Sequence, residues 1–559
     1  MPDMDSPSAA APWWRDAVIY QVYPRSWADS DGDGIGDLPG VAAHLDHLVA
    51  LGVDALWLSP FYTSPQRDGG YDVADYRDVD PVFGTLADFD AVVTGAHERG
   101  LRVMVDIVPN HSSSEHPWFQ AALAAGPGSP ERGRYIFREG RGEHGELPPN
   151  NWQSNFGGPA WTRTTDPDGT PGQWYLHLFD PSQPDFDWTN PEIAEEFRQI
   201  LRFWLDRGVD GFRIDVAHGL HKAEGLPDAP LAYDLATDAT ASQPMWDKPA
   251  VHDVYRDWRR LVDEYRIPDA DADRILVAEA WVTPDEALAR YVRPDELHQA
   301  FNFGYLMTPW TAAAQRGAIT AGLAATVAVG APQTWVLSNH DVPRHATRLT
   351  YDIDGPARVR GIGPDDPQPD AALGLRRARA ATAVMLALPG SAYLYQGEEL
   401  GLPDVTTLPD DVRQDPTFTR SGGDDVGRDG CRVPVPWNSG LPAYGFSPTG
   451  ASWLPQPEAY GRLAPDRQEG VEGSTYELYR RLLALRREYA LGRGLLSWDE
   501  RGPGTLAFTI TAPSGQRIGV LTSFGPGPAE LPDGELLVAS EPLVDGRVPA
   551  DTTAWVLLG

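Results

Sequence analysis

The feature that most constrains this chain is an alternation, repeated eight times, between a short apolar strand pattern and an amphipathic helix pattern. Strands read at Ala17–Tyr23, Val53–Leu58, Leu101–Asp106, Gly211–Asp215, Ile275–Ala278, near Phe301–Phe303, at Thr334–Leu337 and at Ala392–Tyr395. Helices read at Val41–Leu51, Leu86–Arg99, Pro191–Asp206, Ala250–Tyr265, Leu373–Leu388 and, after the last strand, Ser474–Tyr489. Short apolar strands separated by helices belong in a parallel sheet, and eight of them favour closure into a (β/α)8 barrel of the TIM type over an open sheet. Two Gly- and Pro-rich stretches interrupt the alternation. Residues 111–188 are too long for a loop and read as a small domain inserted after strand three, while 401–473 read as an excursion over the barrel mouth. The barrel is then expected from 1–110 and 189–490. From 491 to 559 the pattern turns to short strands joined by turns (Thr505–Ile510, Arg517–Ser523, Glu535–Ala539, Ala554–Leu558), predicting an antiparallel C-terminal β-sandwich domain.

Composition narrows the class of partner. The net charge of -34 argues against nucleic acid and against an anionic membrane surface, both of which need basic patches. A neutral small molecule suits it better, and 19 Trp, 20 Tyr and 17 Phe supply flat faces on which a sugar ring stacks, although most aromatics serve the core. Cys431 is the only cysteine, so no disulfide forms within the chain. Met1 to Pro12, expected to be disordered, has neither the basic start nor the apolar run of a secretory signal, and no apolar run reaches membrane length. A cytoplasmic protein is expected. Nothing in the sequence bears on its oligomeric state. Lys222 and Lys248 are the only lysines among many arginines, which reads as genome composition.

Directly after the first strand, Asp29-Ser30-Asp31-Gly32-Asp33-Gly34-Ile35-Gly36-Asp37 places carboxylates at alternate positions with glycines between them. This matches the first nine positions of an EF-hand loop, although Gly40 stands where the bidentate Glu would be and no helix precedes it. Four like charges packed this closely repel unless a cation neutralises them, so we expect a structural Ca²⁺, or Mg²⁺, on Asp29, Asp31, Asp33, Asp37 and the Ile35 carbonyl. The alternative is an acidic turn that holds no ion.

In such a barrel the chemistry sits at the C-terminal ends of the strands. There the sequence offers Asp106, Asn110 and His111 after strand three, Arg213 and Asp215 at strand four, Glu279 after strand five, and His340 and Asp341 after strand seven. Arg213 shares a face with Asp215 by the two-residue strand period and would keep it ionised. Glu279 follows the apolar run Ile275–Ala278 and neighbours Trp281, so burial would raise its pKa. One ionised and one protonated carboxyl in a shared cleft make a nucleophile and an acid/base, Asp215 and Glu279, for displacement at a sugar's anomeric carbon. Asp341 is left to brace the distorted sugar.

At these residues the chain resembles glycoside hydrolase family 13, the α-amylase family. The segments that carry the resemblance are Asp106-Ile-Val-Pro-Asn-His111, Gly211-Phe-Arg-Ile-Asp215, Ala278-Glu279-Ala-Trp and Ser338-Asn-His-Asp341, flanked by Tyr20-Gln-Val-Tyr-Pro24 and Gly397-Glu-Glu-Leu-Gly401. The resemblance implies a retaining enzyme acting on α-glucosidic bonds, with Asp215 as nucleophile, Glu279 as acid/base and Asp341 as transition-state stabiliser. It implies hydroxyl-binding roles for His111 and His340 and a stacking role for Tyr71. Within the family the chain looks most like the exo-acting α-glucosidase and oligo-1,6-glucosidase branch: Asp68 and Arg432 match the pair that grips the terminal glucose, with Arg428 a rival for Arg432. Gln183-Pro-Asp-Phe-Asp-Trp188 departs from the branch's signature at Phe186 and Asp187, and Gly69 stands where Asn is common. Val216 is reminiscent of 1,6-acting members, whereas Ala217-His218-Gly219 is not. The expected function is release of terminal α-glucose from short α-1,4-linked oligosaccharides such as maltose. The alternatives are an oligo-1,6-glucosidase, a transglucosylase or maltose–trehalose isomerase, and, least favoured, an inactive binding subunit.

Overall fold

The computed structural model describes residues 12–166, 168–230, 239–266, 273–351 and 361–559 of the 559-residue chain. The N-terminal stretch expected to be disordered lies, up to residue 11, outside the described residues. Eight parallel strands form the core: Val18–Val22, Ala55–Leu58, Arg102–Ile107, Gly211–Ile214, Ile275–Ala278, Gln299–Ala300, Thr334–Val336 and Ser391–Tyr395. They hydrogen-bond in the order six, five, four, three, two, one, eight, seven. A parallel bridge between Phe301 and Thr334 joins strands six and seven and closes the barrel. Every residue of strands one, two, four, five and eight is buried, as side chains between a packed barrel interior and a helical coat must be.

The helices form where the sequence offers both a cap and an apolar stripe. Leu86–Glu98 opens on a capping box, Thr85 with Asp88, and Pro191–Asp206 opens on Asn190, whose side chain accepts the Glu192 N–H. The second helix turns Ile193, Phe197, Ile200, Leu201 and Trp204 inward, one stripe at the helical period. Two expectations need correction. The single helix read at Val41–Leu51 is two, Leu38–Ala43 and Leu45–Leu51, because His44 leaves helical geometry and its Nδ1–H donates to the Gly40 carbonyl at 2.9 Å. Strand six is Gln299–Ala300 and ends before Phe303, because the Asn302 side chain caps a short helix, Phe303–Leu306, by accepting the Tyr305 N–H at 2.8 Å.

The insertion after strand three is a three-stranded antiparallel sheet, Phe137–Arg138, Pro171–Leu176 and Trp161–Thr165, on its own apolar cluster of Ile136, Trp152, Ala160, Trp161, Leu176 and Leu178. Lys222 anchors it to the barrel. Its side chain is 3% exposed, and Nζ donates to Asp185 Oδ2 at 2.8 Å, to Asn110 Oδ1 at 2.8 Å and to the Gly219 carbonyl. The C-terminal region is a five-stranded antiparallel sheet with a two-stranded ribbon, Ala529–Glu530 and Arg547–Val548, as the smaller second layer. It gains three strands that the sequence pattern did not reveal, the two of this ribbon and the half-exposed edge Leu495–Trp498. Trp555 Nε1 and Thr553 Oγ1 donate to the Ala383 and Ala380 carbonyls at 3.0 and 2.9 Å, fixing the sheet to helix Ala371–Ala387. No described helix is long and apolar enough to cross a membrane.

Two consequences are testable. Lys222→Met leaves Asp185 and Asn110 buried without their cation and is expected to lower stability by about 3 kcal/mol, read by thermal or urea unfolding; a change within experimental error would remove the anchoring role. Glu398, just after strand eight, is buried, and that burial pushes its pKa up to about 8. The folded state therefore binds its proton more tightly than the unfolded chain, and stability falls as pH rises between about 4.5 and 8. Glu398→Gln keeps an acceptor for the Tyr395 N–H and should flatten the fall of Tm across that window; an unchanged slope would refute it.

Candidate active site

The barrel gathers its chemistry around one buried arginine. Strand register sets Asp106 beside Arg213, and Arg213 beside Val277, two residues before Glu279. Gly211 allows the close pairing of strands four and five, since a Cβ there would lie 2.7 Å from Ile275 Cγ1 and 2.8 Å from its carbonyl oxygen. Arg213 Nη1 donates to Asp215 Oδ1 at 2.7 Å and to Asp106 Oδ1 at 2.8 Å, and Nη2 lies 3.8 Å from Glu279 Oε2. The expectation that Arg213 and Asp215 share a face holds, and one guanidinium spans both carboxyls of the expected catalytic pair.

The charges around it are set by burial against pairing. Burial raises the pKa of Asp215 and of Glu279, Arg213 opposes this in both, and neighbouring carboxylates add to the rise. Burial likewise lifts Asp106 to about 6 against the pull of Arg213. Arg213 lies 2.7 Å from Asp215 and 3.8 Å from Glu279, so its charge favours the anion on Asp215 more than on Glu279. Glu279 Oε2 also accepts the Val216 N–H at 2.7 Å. Val216 pays for that bond with φ +46°, a left-handed conformation costly for a β-branched residue. Asp341 differs. Burial would raise its pKa, yet Arg428 and Arg432, bonded to Oδ1 at 3.0 and 3.1 Å, hold it well below the usual carboxylate range. Burial drives His340 far down and His111 to about 4, so both rings are neutral.

Asp215, Glu279, Asp341, Asp68, Tyr71, His111 and His340 all line a single cleft of about 630 Å³. Tyr71 stacks on His340 with ring centroids 5.1 Å apart at 2°, and its hydroxyl donates to Asp106 Oδ2 at 3.0 Å. The glucose-gripping pair read as Asp68 with Arg432 needs correction: the partner of Asp68 is Arg428, with Nη2 2.6 Å from Asp68 Oδ1. Asp415 fixes that choice by accepting both the Arg428 N–H and Nε–H, at 2.7 and 2.6 Å, which holds the guanidinium at the rim. Arg432, a turn later in the short helix Asp429–Arg432, points beneath the cleft and donates to the His340 carbonyl at 2.8 Å. Gln183 completes this end by donating to Asp68 Oδ2 at 3.0 Å. Gly69 has φ +56°, and a Cβ there would run into the Tyr23 hydroxyl, so the site as packed takes Gly in place of Asn.

The rest of the cleft wall includes His218 and Trp281, which the sequence reading named only beside Val216 and Glu279, and Phe156, Phe179, Thr240 and Trp246, which it did not name. These six come from four separate loops, and the signal for the last group's three aromatics was only the general abundance of such residues. In the acidic loop, Asp29, Asp31 and Asp37 each bring one carboxylate oxygen within 4.8 Å of the others, the spread allowed around one Ca²⁺. Asp33 stands outside that set, with Oδ1 accepting the Ile35 N–H at 2.7 Å. The donors present therefore fit a Ca²⁺ ion through three of the four expected carboxylates.

Comparison with known proteins agrees with this geometry. The alpha amylase catalytic domain matches residues 21–494. The chain is 38% identical over 514 residues to a probable alpha-glucosidase of Rhizobium meliloti, covering 89% of this chain and 86% of that protein. It is 35% identical over 496 residues to maltase 1 of Drosophila virilis, covering 86% and 74%. Among solved structures, an alpha-glucosyl transfer enzyme superposes with a TM-score of 0.83 at 34% identity, covering 98% of this chain and all of that one. On its sequence, its barrel and the convergence of its strand-end carboxylates, the chain belongs to the alpha-amylase family of glycoside hydrolases.

Proposed function

We propose that this protein is a retaining, exo-acting α-glucosidase that releases terminal glucose from short α-1,4-linked oligosaccharides such as maltose. The observation that carries the reading is the ion cluster in the cleft wall, where Arg428 is bonded at once to Asp68, Asp341 and Asp415. A groove that accepts the interior of a long glucan must run past its catalytic carboxylates, and four ionic side chains tied together beside Asp341 support a pocket closed on that side instead. Asp68, Arg428, His111 and His340 then supply donors and acceptors to the hydroxyls of a single glucose. Asp215 attacks C1 as Glu279 gives its proton to the departing glycosidic oxygen. The resulting glucosyl–Asp215 ester is hydrolysed by a water that Glu279 deprotonates, which restores both carboxyls and the original α-configuration. Asp341, held anionic by Arg428 and Arg432, faces the positive charge that develops at C1 and the ring oxygen. Transfer of the glucosyl group to a sugar hydroxyl instead of water is the second reading. The aromatic wall of Phe156, Phe179, Trp246 and Trp281 supports it as a surface able to retain an acceptor. Cys431, free and buried, suits a reducing compartment and supports placement in the cytoplasm.

We further propose that Asp29, Asp31 and Asp37 hold a structural Ca²⁺, with Mg²⁺ the alternative.

Incubation with maltose is expected to yield glucose initially in the α-anomer by NMR, faster than from isomaltose, sucrose or trehalose. Asp215→Asn is expected to lower turnover by about 10⁴-fold or more with Tm preserved; retained turnover would remove the nucleophile. Chelation should lower Tm by several degrees while leaving kcat below that temperature unchanged, and a metal-free protein with an unaltered melt would count against the ion.

A further inference from the structure

The turn after strand four carries a group that none of the roles above uses. His218 is 6% exposed, lines the cleft, and lies with its ring 4.8 Å from that of Trp246 at 30°. Its main chain is fixed as well, since the His218 carbonyl accepts the Asp247 N–H at 2.8 Å. Nδ1 is sealed from solvent with no hydrogen-bond partner. Burial, with Lys222 nearby, pushes the ring's pKa down to about 3, so it is neutral and carries one proton. A buried N–H lacking an acceptor costs more than a buried lone pair, which places that proton on Nε2. A neutral imidazole with a single donor and a cleft in front of it is built to meet an oxygen.

The side of the cleft follows from the main chain. Val216 N–H donates to Glu279 Oε2 at 2.7 Å and Ala217 N–H to the Glu279 carbonyl at 2.8 Å. The turn carrying His218 is thus bonded to the residue assigned to protonate the leaving oxygen, while the groups that grip glucose, Asp68 and Arg428, come from other loops. We propose that His218 is a specificity-determining residue for the leaving group, its Nε2–H donating to an oxygen of the sugar beyond the scissile bond beside the Trp246 ring. The proposal rests on the α-glucosidase reading and deepens it by naming what recognises the second sugar. A leaving group that lacks such an oxygen forgoes this bond, which makes His218 a source of discrimination.

Maltose and phenyl α-D-glucoside present the same glucose and differ only in what leaves. His218→Phe keeps a ring beside Trp246 and drops the donor. Its kcat/KM for maltose is expected to fall ~10-fold or more, against less than ~3-fold for the phenyl glucoside. His218→Gln, which restores an N–H, is expected to recover part of the loss. Should His218→Phe not fold, His218→Ala is compared on the same two substrates after its Tm is checked. Equal losses on both substrates, or an unaltered maltose reaction, would overturn the assignment and leave the glucosidase reading standing. A wild-type protein inactive on both substrates would overturn the two together.

Discussion

The constraint on which this active site depends is the presence of one permanent cation among buried carboxyls. The Arg213 side chain is 2% exposed and contacts Asp106, Asp215 and Glu279, with Asp341 adding to the field. Buried carboxylates without a cation neutralise themselves by taking up protons, and four such groups would leave neither a nucleophile nor a brace. With Arg213 in place the site can hold an anion where the pairing is tightest and a proton where it is looser. The arginine in turn needs its own surroundings: the Trp57 and Tyr71 rings, 5.2 and 5.6 Å from its guanidinium carbon, cover it and keep water out. The proposed nucleophile and acid are therefore products of one charge balance, and each is defined only with respect to the other.

A second charge balance shapes the pocket that glucose would fill. Arg428 joins Asp68 from the loop after strand two, Asp341 from after strand seven and Asp415 from the excursion. Three segments far apart in the chain meet on one side chain. Lys222 does the same for the inserted domain, whose Asp185 it binds together with Asn110 of the barrel. The cleft is thus formed where the barrel's two additions are pinned to it by single cations.

How much of this could be read from the sequence follows from which physical rules are local. The barrel and its strand-end carboxylates were legible because strand period, strand length and the placing of chemistry at strand ends are properties of short segments. Asp215, Glu279 and Asp341 are brought together as expected. The exchange of Arg432 for Arg428 was not legible: both stand in one Gly-rich stretch, and the choice is made by Asp415, a hydrogen bond acceptor 13 residues earlier. The break at His44 and the early end of strand six likewise depend on single side chains bonding to the backbone. Lys222 looked like a compositional accident because its partners lie 37 and 112 positions away. One of two lysines in a chain rich in arginine was nonetheless a signal. A compact ammonium reaches three oxygens in a narrow site where a planar guanidinium would not fit.

The turn from Val216 to Gly219 links these parts. Its first N–H binds the acid/base carboxylate, its second binds the same residue's carbonyl, its histidine faces the cleft, and the Gly219 carbonyl accepts from Lys222 under the inserted domain. Gly219 itself has no room for a side chain, since a Cβ would come within 2.7 Å of Val216 Cγ1 and 2.9 Å of Trp246. The turn is therefore tight at both ends, and the left-handed backbone of Val216 persists because the contacts around it over-determine it. Within four residues the chain fixes the carboxylate proposed to protonate the bond and the wall proposed to meet the departing sugar. A backbone shift in this turn would move both, whereas replacing the His218 ring alone leaves in place the Val216 and Ala217 N–H groups that hold Glu279.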